Sequence, residues 1–256
     1  METSPAFLYG ESIFTSSRAK NGKLFFRDLH LGRIYSGIED YYLGKSLSST
    51  QKSQISDKLD HFLSDLIGES EYRVRLTVFS KPREGITPNF FSFEELNFVC
   101  EAKKLNTNNP PLELKTYPSP LSGDYPNLKM GSYMPLLRLK MMAKRAGVDD
   151  ALLVLDGKHV AEATTSNIVF YKGNKLYTPK KNFLDGVIIQ ALKKDFNLLD
   201  REIITSELSE FEGAFLTNSV NIISAVSAID DVQYKMDIEK IGNINENLLL
   251  RGYDEK

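Results

Sequence analysis

Hydrophobic and polar residues alternate along the first part of the chain in a way that predicts both strands and helices. The segment RVRLTVFS, residues 73–80, alternates cleanly and is typical of a half-buried strand. Two apolar runs flank Asn21-Gly22, which is a strong signal for a β-hairpin. Apolar residues recur at helical spacing over residues 28–44, and a further helix is predicted around residues 55–67.

The second part of the chain carries a denser series of predicted elements. Helices are predicted over residues 128–147, over GVIIQALKKDF (186–196) and from about residue 238. The first of these is predicted to begin just after a lysine, with apolar residues at Met134, Leu137, Met141 and Met142. Strands are predicted at ALLVLD (151–156), HVAEA (159–163), NIVFYK (167–172), KLYTP (175–179), REIITSEL (201–208), AFLTNS (214–219) and IISAVSAI (222–229). Because strands and helices mix without a regular βαβ alternation, the α+β class is expected.

A proline-rich stretch separates the two parts. PPLELKTYPSPLSGDYP, residues 110–126, contains five prolines, which exclude a helix across most of it. The sequence therefore predicts a smaller N-terminal α+β domain over residues 1–115, a linker over 116–127 and a larger C-terminal domain over 128–256.

Composition excludes several classes of function. The 256 residues include 32 basic and 34 acidic side chains, and this balance argues against a nucleic-acid binder that relies on a basic surface. No apolar run reaches the roughly 20 residues of a membrane span, and the N-terminus does not resemble a secretory signal. Cys100 is the single cysteine, which fits a reducing, cytoplasmic setting. With three histidines and one cysteine, a catalytic zinc site is not expected, and neither GxGxxG nor GxxxxGK[ST] occurs.

Lys129 is a candidate for covalent chemistry. A lysine that forms a Schiff base must be neutral part of the time, and partial burial or the positive end of a helix lowers a lysine pKa. The predicted helix after Lys129 would supply a field of that sign. An ordinary solvated lysine is the alternative, and the residue alone does not decide between them.

Three further segments carry candidate polar groups. Glu162 lies on a predicted strand among small residues, where it faces either a cavity or solvent. The Asp185-Gly186 turn opens a predicted helix, and the amides of Val187 and Ile188 there either bind an anion or only begin a helix. Thr217, Asn218 and Ser219 end an apolar strand, where hydroxyl groups either bind phosphate or cap the strand.

The order of these segments resembles that of the class IV, or fold type IV, pyridoxal-phosphate (PLP) enzymes. GESIFTSSRAKNGKLFFRDLHLGRI is similar to the family segment G-D-G-x-F-T-T-x-R-x-x-x-G-K followed by H-x-x-R, here His30-Leu31-Gly32-Arg33. The likeness runs from about residue 9 to 230. Its other members follow in order: Lys129, Glu162-x4-Asn167, Thr178-Pro179, Leu184-x-Gly186 and Leu216-Thr217-Asn218-Ser219. The resemblance implies a two-domain fold with PLP in the interdomain cleft, and commonly a homodimer.

The resemblance also implies a role for each matching residue. Lys129 would form the Schiff base with PLP and shuttle protons, and Glu162 would pair with the pyridine nitrogen so that the ring acts as an electron sink. Arg33 would bind the cofactor phosphate. The remaining cofactor contacts implied are the Val187 and Ile188 amides, Ser219, Asn167, and Tyr133 near the phenolic oxygen of PLP.

Two features favour a lyase branch of the family. The spacing Lys-x-x-Ser-Tyr after Lys129 resembles the lyase and D-amino-acid branches. The Thr217-Asn218-Ser219 segment resembles 4-amino-4-deoxychorismate lyase, which forms 4-aminobenzoate and pyruvate in folate synthesis. In that scheme Thr15 would contact the substrate or assist the leaving group. An aminotransferase acting on a D-amino or branched-chain amino acid and a 2-oxo acid is the first alternative, and a non-catalytic PLP-fold protein is the second.

The sequence departs from the family pattern in two places. The usual G-[IV]-[TM]-R at the helix start is Gly186-Val187-Ile188-Ile189, so an apolar residue replaces the arginine. The usual G-D-G is Gly10-Glu11-Ser12. Both changes bear on the identity of the substrate more than on the binding of PLP.

Overall fold

Contacts between Cα atoms divide the chain into two compact units. The computed structural model describes residues 4–83, 90–106, 109–121, 128–180 and 184–253. The first unit comprises residues 1–106, 128–133 and 251–256, and the second comprises 107–127 and 134–250. The first unit thus ends before the predicted boundary at residue 115, and Lys129 lies in it rather than in the second unit. Both units combine helices and sheet, which confirms the predicted α+β class.

The first unit is built on a four-stranded antiparallel sheet in the order β2-β1-β3-β4. Strand β1 pairs with β3 along its whole length, from Ser12 opposite Phe79 to Lys20 opposite Glu71. The elements are α1 (Pro5–Tyr9), β1 (Ser12–Lys20), β2 (Lys23–Leu24), α2 (Arg27–Gly37), a π-helix (Ile38–Leu43), α3 (Ser49–Ser64), β3 (Glu71–Ser80), a 3-10 turn (Phe93–Glu95) and β4 (Leu96–Lys104).

Local sequence explains the ends of these elements. Asn21 and Gly22 have φ of +47° and +74°, so both central residues of the predicted hairpin adopt the left-handed region that a type I′ turn requires. Helix α3 begins at Ser49, earlier than the predicted residue 55, because Ser48 and Gln51 form a capping box. Ile55, Leu59 and Leu63 recur every four residues on α3 and belong to the core with the alternating Val74, Leu76 and Val78 of β3.

The second unit is built on a nine-stranded sheet. Its order is β10-β9-β8-β11-β12-β5-β6-β7, with β13 paired to β12. Strand β5 lies between two parallel neighbours, β12 and β6. The elements are β5 (Leu112–Pro118), α4 (Met134–Arg145), β6 (Asp150–Leu155), β7 (His159–Ala163), β8 (Asn167–Lys172), β9 (Lys175–Pro179), α5 (Val187–Asp195), β10 (Leu199–Arg201), a 3-10 turn (Thr205–Glu210), β11 (Gly213–Asn218), β12 (Ile222–Ile229), β13 (Val232–Gln233) and α6 (Ile238–Gly252).

Two predictions of secondary structure are wrong, one for the linker and one for the segment REIITSEL. Part of the proposed linker is a strand, since β5 runs from Leu112 to Pro118, and a proline at the last position removes no hydrogen bond from the middle of the sheet. Residues 119–121 of the linker form neither helix nor strand, and residues 122–127 lie outside the described residues. REIITSEL is not one strand, because Glu207 accepts a hydrogen bond from the Ile204 N–H and the chain turns into a 3-10 segment.

Helix α4 differs from its prediction in both start and orientation. It begins at Met134, five residues after Lys129, not directly after it. Its buried stripe runs through Leu136 and Ala143, with Lys140 between them bonded to the buried carboxylate of Asp150 at 2.8 Å. The predicted apolar face is therefore the exposed one, with Met134 80%, Leu137 49%, Met141 56% and Met142 38% accessible. No helix in the described part of the chain is long and apolar enough to cross a membrane.

Candidate active site

Lys129 lies in an extended segment that is held along strand β1. The Phe14 N–H donates to the Lys129 carbonyl at 2.8 Å, and the Gly131 N–H donates to the Ser12 carbonyl at 2.7 Å. A Cβ on Gly131 would meet the Ser12 side chain, so this close approach requires glycine. The predicted position of Lys129 immediately before a helix is therefore wrong, and pairing with β1 fixes its backbone instead.

Aromatic groups surround the amine of Lys129. Its Nζ donates to the Tyr133 hydroxyl at 3.2 Å and lies 5.1 Å from the centroid of the Phe14 ring. The two rings meet edge to face, with centroids 5.6 Å apart. Tyr133 directly precedes α4 and approaches Lys129 through its hydroxyl.

Arg75 is a second cation at the same aromatic ring. Its guanidinium carbon lies 3.6 Å from the Phe14 centroid, and its Nε donates to the Thr77 hydroxyl at 3.0 Å. Burial lowers the pKa of Arg75, and the charge of Glu101 acts in the opposite direction. The sequence did not point to Arg75, because it occupies an ordinary polar position of an alternating strand.

Thr15 and His30 form a buried, hydrogen-bonded pair in the same unit. The Thr15 hydroxyl lies 2.5 Å from His30 Nδ1, and the two residues are 3% and 0% exposed. Burial lowers the pKa of His30 well below 6.5, and the positive charges of Arg33 and Lys129 lower it further. His30 is therefore neutral at physiological pH. The H-x-x-R spacing places His30 and Arg33 on one face of α2, but it did not reveal the bond to Thr15.

Glu162 is a buried carboxylate of the second unit. It is 7% exposed on β7 and accepts a hydrogen bond of 3.0 Å from the Asn167 side-chain amide. The same amide nitrogen donates to the Leu184 carbonyl at 2.9 Å, in the segment that leads into α5. The alternative of a solvent-facing Glu162 is thus excluded.

Helix α5 begins directly after Gly186, close to the start that the sequence predicted, and its first turn presents backbone amides. Gly186 is the N-cap, and the first intrahelical bond runs from Gln190 to the Gly186 carbonyl at 3.0 Å. The amides of Val187 and Ile188 therefore belong to the first turn, whose N–H groups have no partner within the helix. Ile189 is 1% exposed, so the apolar residue that replaces the family arginine is part of the core.

The turn between β11 and β12 carries Ser219. The Thr217 hydroxyl donates to the Ile222 carbonyl at 2.6 Å across this turn, and Ser219 is 7% exposed. Asn218 accepts two backbone N–H bonds of 2.9 Å from Val220 and Asn221. These bonds define a compact, polar turn, and the sequence missed the part that Asn218 plays in it.

Sequence comparison identifies the family to which these residues belong. The profile of amino-transferase class IV matches residues 12–229. The chain belongs to the class IV aminotransferase family. This match confirms the predicted resemblance. The matched residues include Lys129, the start of α5 and the turn between β11 and β12.

Individual relatives agree with this assignment. The chain is 28% identical over 247 residues to the aminodeoxychorismate lyase of Bacillus subtilis, covering 89% of this chain and 80% of that protein. A Legionella pneumophila protein provisionally named a 4-amino-4-deoxychorismate lyase superposes with a TM-score of 0.82 at 19% identity, over 96% of this chain and 93% of that one. An aminotransferase from Brucella abortus bound to PLP superposes with a TM-score of 0.80 at 18% identity, over 98% and 92%. The predicted fold type IV architecture is therefore confirmed.

The predicted site residues are distributed over both units. Lys129, Tyr133, Thr15 and Arg33 lie in the first, while Glu162, Asn167, Val187, Ile188 and Ser219 lie in the second. Within the first unit the structure brings Lys129 to Tyr133, and within the second it brings Asn167 to Glu162. The role of each residue toward a cofactor or substrate remains a prediction.

Proposed function

We propose that the protein is a PLP-dependent lyase that converts 4-amino-4-deoxychorismate to 4-aminobenzoate and pyruvate. The observation that carries the proposal is the arrangement at Lys129, whose amine is bonded to Tyr133 and lies against the same Phe14 ring as Arg75. An amine, a flat apolar ring and a cation suit a cyclic substrate that carries carboxylates. The relationship to the Bacillus subtilis lyase supports the same reaction.

The described residues fit PLP as the cofactor. Glu162 is a buried carboxylate fixed by an amide, as a partner of the pyridine nitrogen must be. The first-turn amides of α5 and the buried Ser219 hydroxyl are donors suited to a phosphate. The role of Arg33 toward the phosphate rests on the family resemblance alone. When bound, PLP supplies an electron sink for a carbanion next to an amine. The PLP-bound structural neighbour supports this assignment.

The residues at Lys129 then perform the proton transfers. Lys129 Nζ removes the proton from the ring carbon that bears the substrate amine. The Tyr133 hydroxyl orients Lys129 Nζ for this step. The bond from the neighbouring ring carbon to the enolpyruvyl oxygen breaks, and the electron pair leaves with the oxygen. That oxygen takes up a proton, the enol becomes pyruvate, and the ring becomes aromatic. Arg75 holds a carboxylate of the substrate throughout.

Thr15 keeps its proposed role in assisting the leaving group. Because its hydroxyl is already bonded to His30, we expect it to act together with that neutral imidazole. Normal activity in Thr15→Ala would refute this role.

An aminotransferase that acts on a D-amino or branched-chain amino acid is the second candidate. The family description favours it, since the same lysine and carboxylate serve both reactions. It differs from the lyase in requiring a 2-oxo acid as second substrate. A non-catalytic PLP-fold protein has only the loss of the arginine at Ile189 in its favour, and that position is an ordinary core residue of α5.

We also propose a cytoplasmic homodimer. The exposed apolar side chains of α4, including Met134 at 80% and Met141 at 56%, support a second copy of the chain as the occupant of that helix face. Sedimentation at micromolar concentration is expected to give a dimer, and a monomer under those conditions would contradict the proposal.

The first experiment supplies the PLP-loaded protein with 4-amino-4-deoxychorismate and no 2-oxo acid. We expect equal amounts of pyruvate and 4-aminobenzoate from the wild type, none from Lys129→Ala, and wild-type amounts from Lys45→Ala, which changes an exposed lysine. If there is no release but an amino donor converts the bound cofactor to its pyridoxamine form, the protein is an aminotransferase. If Lys129→Ala binds PLP with the same absorption spectrum as the wild type, the covalent role of Lys129 is refuted.

A further inference from the structure

One hydrogen bond joins two turns of the second unit that are far apart in sequence. The turn between β7 and β8 comprises residues 164–166, and the turn between β11 and β12 comprises residues 219–221. The Asn218 side-chain amide donates to the Ser166 hydroxyl at 2.8 Å, across 52 positions of sequence. The bond lies directly after the last register pair of β8 and β11, which sets Asn167 opposite Thr217, and it joins the end of β11 to the β7–β8 turn.

The Asn218 side chain has both of its ends engaged. Its oxygen accepts the N–H groups of Val220 and Asn221, each at 2.9 Å, while its nitrogen bonds to Ser166. The oxygen thus shapes the turn that carries Ser219, and the nitrogen anchors that turn to Ser166. A side chain used in this way positions its neighbours, since little of its hydrogen-bonding capacity remains for a ligand.

Ser166 connects the second turn to the rest of the proposed cofactor site. The next residue, Asn167, bonds both to Glu162 at 3.0 Å and to the Leu184 carbonyl before α5 at 2.9 Å. Two adjacent residues therefore tie together the buried carboxylate, the approach to the α5 amides and the turn that carries Ser219. All of these contacts lie within one unit.

The β7–β8 turn is itself fixed at its other end. The Thr164 hydroxyl donates to Asp150 at 2.5 Å, and Asp150 is 3% exposed and bonded to Lys140 at 2.8 Å. The Ala163 N–H donates to the Ser166 carbonyl at 2.8 Å, which closes the turn. Because the turn cannot shift easily, the bond to Asn218 transmits its position to the β11–β12 turn.

We propose that Ser166 and Asn218 are positioning residues for the cofactor phosphate. They hold the Ser219 hydroxyl at a fixed place relative to the first turn of α5, so that both donate to one phosphate group. This inference rests on the proposed binding of PLP and adds two residues that do not themselves contact the cofactor. It predicts a loss confined to recognition of the phosphate.

The test compares the affinity for PLP with the affinity for pyridoxal, which lacks the phosphate. In Ser166→Ala we expect PLP to bind about 3- to 10-fold more weakly, as for the loss of one hydrogen bond, while pyridoxal binding changes less than about 2-fold. Ser166→Thr keeps the hydroxyl and is expected to restore the wild-type ratio. Ser227→Ala is the matched control, because Ser227 also makes one partly buried, long-range hydrogen bond in this unit, to the Leu112 carbonyl at 3.2 Å.

A double variant separates positioning from direct contact. If Ser166 and Asn218 act through their shared bond, Asn218→Ala weakens PLP binding at least as much as Ser166→Ala, and combining the two adds little further loss. An unchanged ratio of PLP to pyridoxal affinity in Ser166→Ala would overturn the proposal, as would an equal weakening of both ligands. So would an Asn218→Ala variant with a raised KM and an unaltered ratio, since that result indicates a substrate contact.

Failure of the lyase assignment would look different. It would show in the wild type, as an absence of pyruvate release, and would leave the affinity ratio measurable. If the wild type showed no Lys129-dependent binding of PLP at all, the proposed function would fail first, whatever the behaviour of Ser166→Ala.

Discussion

The two units differ in the contacts that hold their candidate site residues. In the first, Lys129 and Arg75 approach the face of one aromatic ring, and the fully buried His30 lies under the influence of two positive charges. In the second, Glu162 and Asn167 belong to a set of short, directional hydrogen bonds between side chains and backbone. The cations of the first group contact the Phe14 ring as well as hydroxyl groups, whereas the second group is held by hydrogen bonds.

This contrast indicates a division of labour. We propose that Lys129 exchanges partners and protons, and its amine contacts the Tyr133 hydroxyl and the face of the Phe14 ring. A group that holds a cofactor in place benefits from the opposite arrangement, because preorganised donors do not need to rearrange. Variants in the first unit should therefore test the proposed contacts to the substrate, and variants in the second should test the proposed contacts to the cofactor.

Removing the charge of Glu162 is expected to have the largest effect. Glu162→Gln keeps an oxygen that can accept the Asn167 bond, but it loses the negative charge that we propose to hold a proton on the pyridine nitrogen. We expect the rate of pyruvate release to fall about 10- to 100-fold, the scale of one hydrogen bond to a charged group. Steady-state kinetics measures it, with Glu210→Gln at an exposed position as the control. A wild-type rate would remove Glu162 from the proposed site.

Replacing Arg75 tests whether the first unit recognises the substrate. Arg75→Gln removes the cation above Phe14, and we expect KM for 4-amino-4-deoxychorismate to rise about 10-fold or more while kcat changes less. Arg73→Gln alters an exposed arginine two residues away on the same strand and should leave KM unchanged. A fall in kcat alone would mean that Arg75 acts on Lys129 and not on a substrate carboxylate.

A methyl group at Gly186 is expected to disturb the second unit. Its Cβ would collide with the Asn167 amide oxygen, although φ of −64° is open to any residue, so the cost comes from the contact alone. We expect Gly186→Ala to lower the free energy of unfolding by about 1–3 kcal/mol and to weaken PLP binding. Urea unfolding measures the first effect. Gly242→Ala, on a helix with open space around that position, should be neutral or slightly stabilising.

The buried His30 predicts a modest dependence of stability on pH. Its pKa is depressed in the folded protein, so below about pH 6.5 the unfolded chain takes up a proton that the folded chain does not. The contribution is therefore complete above pH 6.5 and is lost as the pH falls, by at most about 1.4 kcal/mol per pH unit. Unfolding between pH 7 and 5 should show a shallower slope in His30→Asn than in the wild type. His61→Asn, at an exposed position of α3, should keep the wild-type slope, and equal slopes in all three proteins would refute the assignment.

Features set by neighbouring residues were predictable from the sequence. The Asn21-Gly22 hairpin and helix α5 each depend on a few adjacent residues whose backbone preferences agree with the fold. Helix α4 shows the limit of this reasoning. Its sequence offers two stripes, and the one with Lys140 is buried because Asp150, in another element, receives the lysine. Periodicity alone cannot reveal such a partner.

In the candidate site, too, the local motifs were predictable and the contacts between distant segments were not. The order of motifs along the chain predicted the family, and the family match confirms that prediction. The neighbours of Lys129 were not predictable, because Phe14 and Arg75 reach it only through strand pairing between distant segments. The bond between Ser166 and Asn218 likewise joins two turns whose sequences contain no sign of each other.

The pairing of the Lys129 segment with β1 also bears on how the protein folds. Phe14 and Lys129 are separated by about 115 residues, so the reactive amine reaches its place only after a long loop of chain has closed. Nascent or partly folded chains would contain the ring without the amine. We expect the environment of Lys129 to be among the last parts of the first unit to form during refolding, which delays reactive chemistry until the rest of that unit is built.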